Sequence, residues 1–96
     1  MNIQISDSAY KDLEFAQFFY EHQEEGLGIY FQDSLFSDID SLRFYAGIHP
    51  IQYGKYRLLS KKFPYAIYYL LESDLIIVTA VLDCRRNPNW IKNKLK

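Results

Sequence analysis

Six cations gather in the second half of this 96-residue chain: Lys55, Arg57, Lys61 and Lys62, then the adjacent pair Arg85-Arg86. Aromatic rings interleave with them at Tyr56, Tyr65, Tyr69 and Trp90. Guanidinium groups grip phosphates and rings stack on unpaired bases, so the mixture suits RNA or other single strands. The same residue types dominate protein interfaces, so it equally suits an acidic protein partner. It also suits plain solubilising charge on a small sheet. Composition leaves these three uses open.

Other chemistry has less to stand on. The histidines, His22 and His49, have no flanking motif, and His49-Pro50 punctuates a loop. Glu24-Glu25 falls where a helix should end and reads as a solvated terminus, not an acid/base pair. No glycine-rich phosphate loop and no metal-ligand spacing is present, so neither cofactor nor metal is expected. Cys84 directly precedes Arg85-Arg86, neighbours that could favour a thiolate. An ordinary small residue at a strand end is the reading taken.

The elements that must position these residues can be read from periodicity. "NIQI" (Asn2–Ile5) alternates as a short first strand at an edge. Ser6, Asp7 and Ser8 offer N-cap oxygens, and Ala9, Leu13, Ala16 and Tyr20 then share one helical face. Gly26 or Gly28 supplies a left-handed cap. A second helix fits Leu27 to about Ala46, with Phe31, Leu35, Ile39 and Leu42 as its stripe. The two helices form an antiparallel hairpin. After Pro50 the pattern changes to strands: "YGKYRLLS", then "PYAIYYLL" with Pro64 at a strand's first position, then "LIIVTAVLD". Short turns join these three as an antiparallel meander. "NPNWIKNKLK" closes the chain as a short basic helix. The predicted fold is α+β in the order βααβββ. Tyr65, Ile67, Tyr69 and Leu71 should face one way. Ala66, Tyr68 and Leu70 should face the other; one set should meet the hairpin, and the tail or a partner must cover the remaining face.

Composition sets bounds on this reading. The chain is 49% hydrophobic and 18% aromatic, enough for a real core in a single domain spanning residues 1–96. One cysteine excludes an internal disulfide and any cysteine-cluster zinc site, and suits a reducing cytoplasm. "MNIQISDSAY" lacks the pattern of a signal peptide, and the longest apolar run, within Leu75–Leu82, is too short to cross a bilayer. The net charge of −1 hides a division. Residues 1–48 carry two basic and nine acidic side chains, a balance of −7; residues 49–96 carry nine and three, a balance of +6. Such a split gives the surface a polar field.

With these elements in order, "YRLLSKKFPYAIYYLLESDLIIVTAVLDCRRNPNWIKN" resembles the RelE/ParE superfamily of bacterial toxins. The marks are Tyr56-Arg57, "KFPYAIYY" (Lys62–Tyr69) and "AVLDCRRNPNW" (Ala80–Trp90). The helices "AYKDLEFAQFFYE" and "GLGIYFQDSL" match too, so the resemblance covers nearly the whole chain. Members are the toxin halves of type II toxin–antitoxin modules, often labelled plasmid stabilisation proteins. The resemblance implies a cytoplasmic hetero-oligomer with a cognate antitoxin. The antitoxin's acidic C-terminal segment would wrap the toxin, with Lys61 and Lys62 flanking the groove it fills. It further implies partner contacts from Lys55, Arg57, Lys61, Lys62, Tyr65, Arg85, Arg86 and Trp90.

Two activities are known in such a family. RelE-type members cleave mRNA in the ribosome, and by position Arg57 with Arg85 or Arg86 would supply the basic groups. Those members tend to carry an arginine early in the third strand, where this chain has Tyr65-Ala66. Trp90 stands where the tail would hold a tyrosine or similar group, and indole is no acid or base near neutral pH. ParE-type members instead inhibit DNA gyrase by binding it, without catalysis. "FPYAIYY" and "RRNPNW" look more like this branch, so the expectation is a ParE-like gyrase inhibitor that regulates growth. The alternatives are a ribosome-dependent endoribonuclease and a weakly toxic or non-toxic interaction domain of the same family.

Overall fold

Ser6 starts the first helix: its hydroxyl accepts the Ala9 N–H at 3.1 Å. In the computed structural model, which describes residues 1–96, strand β1 (Asn2–Ile5) precedes this helix, α1 (Asp7–Gln23). Gly26 then turns the chain with φ +88°, a conformation that costs glycine least. Helix α2 (Leu27–Asp40) follows. It has no side-chain cap of its own, and Glu21 of α1 supplies one. The Glu21 carboxylate accepts the N–H groups of Gly26 at 3.0 Å and Gly28 at 2.9 Å, which holds its pKa below the usual carboxylate range. Gly28 is itself required at the crossing. A Cβ there would lie 2.8 Å from the Gln17 carbonyl oxygen.

The long second helix expected from Leu27 to Ala46 is interrupted. It divides at Ser41 into α2 and a single turn, α3 (Leu42–Tyr45). The Ser41 hydroxyl donates to the Asp38 carbonyl at 2.6 Å, an i−3 bond that competes with the helical ladder. The Asp38 carboxylate is buried and accepts the Ser60 hydroxyl at 2.7 Å, tying the end of α2 to a turn of the sheet.

The expected βααβββ order is present, with one strand more. A two-residue strand, β2 (Ile51–Gln52), pairs with β3 (Lys55–Leu59) through a turn at Tyr53-Gly54, both at positive φ. That is the backbone a two-residue hairpin needs. Tyr-Gly is a weaker signal for it than Asn-Gly, so the hairpin was not legible. Strands β4 (Tyr65–Glu72) and β5 (Leu75–Asp83) complete an antiparallel run, and β1 joins it parallel to β5. The sheet therefore has five strands ordered β1-β5-β4-β3-β2, with β1 at the edge as expected and β2 as the added strand.

One irregularity decides which side chains face where. Tyr68 pairs with Ala80 and Tyr69 with Val78, so Thr79 has no opposite number. This bulge shifts the alternation of β5 by one residue. Ile76, Val78 and Val81 consequently pack with Ala9, Leu13, Phe31 and Leu35 of the hairpin, while Ala80 and Leu82 face the other side. Alternation divides the β4 side chains into two sets, and it is Tyr65, Ile67 and Tyr69 that meet the hairpin while Ala66 and Tyr68 face away. The second face is covered by the tail, α4 (Pro88–Lys94), through Ile91 and the following Leu95. No helix is long and apolar enough to cross a membrane.

Candidate partner-binding groove

Helix α1 is apolar on more than its core face. Phe15, Phe18 and Phe19 are exposed, Phe15 at 79% of its surface. Helix α4 lies across the end of β5, capped by Asn87, whose side chain accepts the Asn89 N–H at 2.8 Å. Between α1 and α4 runs a cleft of about 490 Å³. Phe15, Phe19, Tyr65, Leu82 and Trp90 form its apolar wall, and Lys11, Arg86 and Lys94 its basic rim.

The floor of this cleft is the half of β5 that β1 does not reach. β1 pairs only with Leu75–Val78, leaving Thr79–Asp83 as an edge. Side chains of the α1 start blunt that edge. Ser8 donates to the Thr79 carbonyl at 3.1 Å, and the Asp12 carboxylate accepts the Val81 N–H at 3.0 Å. Burial raises the Asp12 pKa; the Val81 N–H and Lys94 oppose the shift. With the Thr79 carbonyl and the Val81 N–H occupied, the first part of this edge is a poor template for an added strand. A guest would be held chiefly by side chains.

Charge in the cleft is uneven in a useful way. The chain contains two ion pairs, Arg43–Asp40 and Arg85–Asp83. Arg85 is thereby committed at 2.8 Å, and it holds the Asp83 carboxyl below the usual range. Lys11, Arg86 and Lys94 have no carboxylate within ion-pair distance. Arg86 lies over the Trp90 ring at 4.1 Å and Lys94 approaches it at 5.5 Å. The indole thus organises cations instead of moving protons. Tyr65 is no acid or base either: burial, with Tyr20 and Asp83 nearby, pushes its phenol up to about 12.

The residues singled out in the sequence occupy several sites. Tyr65, Arg86 and Trp90 share the cleft. Lys61 and Lys62 lie by α2, in a shallow hollow with Tyr30, Asp33 and Asp38, and Lys62 sits 5.2 Å from the Tyr30 ring. Arg57 and Lys55 belong to the tail side of the sheet. Arg57 Nε donates to the Tyr68 hydroxyl at 3.3 Å, and its Nη2 reaches the Cys84 sulfur at 3.6 Å. Lys55 donates to the Leu95 carbonyl at 3.2 Å. The guanidinium beside Cys84 is therefore that of Arg57, not of the adjacent Arg85-Arg86. Burial outweighs it and pushes the thiol up, away from a reactive thiolate.

Lys11, Asp12, Phe15, Phe19 and Lys94 were missing from the sequence reading of the site. The signal was there: three phenylalanines off the Ala9–Leu13–Ala16–Tyr20 stripe give α1 a second apolar face. No protein-family model and no curated protein matches the chain. Among solved structures it matches a chain of one described as the chromosomal ParDE TA system from P. aeruginosa, at 15% identity and a TM-score of 0.73. The match covers 84% of this chain and 92% of that one, so the two share a fold, the one the resemblance implied.

Proposed function

We propose that the chain is the toxin of a type II toxin–antitoxin pair, of the ParE kind, and that it halts growth by binding DNA gyrase. The observation that carries the reading is the fold held in common with the ParDE chain over most of both lengths. The site favours binding over catalysis. Tyr65 and Trp90, which line the cleft with the free cations, cannot exchange protons near neutral pH, and its carboxylates are engaged, Asp12 by the Val81 N–H and Asp83 by Arg85.

The antitoxin's acidic segment is placed in the α1–α4 cleft in this proposal. An apolar wall with a rim of three uncommitted cations suits an amphipathic acidic segment, which would bury its apolar side on Phe15, Phe19 and Trp90. Lys61 and Lys62 stand on the far side of the hairpin and would meet a segment long enough to wrap round it.

The test is a supercoiling assay with purified gyrase, relaxed plasmid and increasing amounts of the purified chain. Supercoiling should fall with dose, and mRNA on programmed ribosomes should stay intact. Cleaved mRNA with unimpeded supercoiling would favour the ribosome-dependent nuclease, with Arg57 as its first candidate residue. Neither effect would leave an interaction domain without toxicity.

A further inference from the structure

A second apolar surface lies away from the cleft. The eleven residues Phe44–Gly54 contain no Asp, Glu, Lys or Arg, in a chain that is 24% charged. They cross the end of β4 between α3 and β3. Tyr69 pins them from inside. Its hydroxyl accepts the Gly47 N–H at 2.9 Å and bonds to His49 Nδ1. Residues 47 and 49 are thus anchored on one hydroxyl, and Ile48 between them points outward, 73% exposed. Ile51 pairs with Tyr56, whose ring stacks on Tyr69 at 5.1 Å, and is 64% exposed. Phe44 is 82% exposed, and Tyr45 and Tyr53 add to the same span.

We infer that this span is a self-association surface, and that its occupant is a second copy of this chain. Charge argues for it. A two-fold interface sets a patch against itself, which like charges would oppose and an uncharged patch allows. Partners complementary to the acidic hairpin or the basic sheet would find nothing here to pair with. Area argues for it too. With aromatic side chains offering 150–250 Å² each, the five residues expose on the order of 600 Å² per copy. Two copies would bury about 1,200 Å², the lower bound of specific interfaces. The contact is made by side chains, because β2 is only two residues long and follows Pro50, which blunts its edge. The span shares no residue with the α1–α4 cleft, so the dimer can hold its partner segments at the same time.

Sedimentation equilibrium of the purified full-length chain, from about 1 to 100 µM, tests this. The mass should rise from 11.4 kDa towards twice that value. Phe44→Asp and Ile48→Asp, both at exposed positions, should keep the wild-type circular dichroism and weaken association by roughly tenfold or more. Phe15→Asp, in the cleft, should leave association unchanged. A chain that stays at 11.4 kDa throughout would overturn the inference. So would a dimer that survives both span substitutions or is lost with Phe15→Asp.

Discussion

At the scale of single residues, Tyr69 carries the most structure. Its hydroxyl accepts from the Gly47 N–H and shares a second hydrogen bond with His49 Nδ1. Tyr69→Phe would keep the ring stack on Tyr56 and strand both partners, at a cost of about 1–3 kcal/mol in urea denaturation. His49 carries a pH dependence. Burial lowers its pKa from 6.5, so the unfolded chain binds the proton more readily than the folded one. Its stabilising contribution is full above pH 6.5 and is lost as pH falls through the folded value. Thermal melts from pH 7.5 to 5.0 should show that loss, and His49→Gln should flatten it. Neither role was legible in the sequence. His49-Pro50 reads as loop punctuation, and nothing local says that a tyrosine twenty residues on will reach back to it.

At the scale of elements, the helical hairpin was largely legible and its clasp was not. The stripes Ala9–Leu13–Ala16 and Phe31–Leu35–Ile39 follow from period alone and are buried as read. The clasp is tertiary: Glu21 caps α2 from α1, and Gly28 lets the helices touch. Gly28→Ala is the sharpest test of that contact. In an isolated helix alanine is favoured over glycine by about 1 kcal/mol. Here its methyl would collide with the Gln17 backbone, and the substitution should destabilise by about 1–3 kcal/mol on urea titration. The sheet was legible where strands are long, in β4 and β5. It was not where pairing is set by neighbours: the bulge at Thr79 and the two residues of β2 have no local signature of their own.

At the scale of the whole molecule, the charge split from −7 to +6 becomes an acidic hairpin beside a basic sheet and tail. The cleft lies where the two meet. Three of its eight rim and wall residues, Tyr65, Arg86 and Trp90, were legible. Three more, Lys11, Phe15 and Phe19, come from α1, whose second apolar face lies off the stripe that packs on the core. Replacing Lys11, Arg86 and Lys94 together with glutamate should weaken binding of a cognate acidic segment by roughly a hundredfold in calorimetry, at little cost to folding. Replacing Lys61 and Lys62 should cost roughly tenfold or less. Equal effects would place the segment's main contact outside the cleft.

The most direct test of the central claim follows DNA and protein synthesis separately by pulse labelling in a bacterial host after induced expression of this chain. Binding to gyrase predicts that DNA synthesis fails first, with protein synthesis declining later. Protein synthesis failing first, with replication still running, would contradict it and point to cleavage of mRNA on the ribosome.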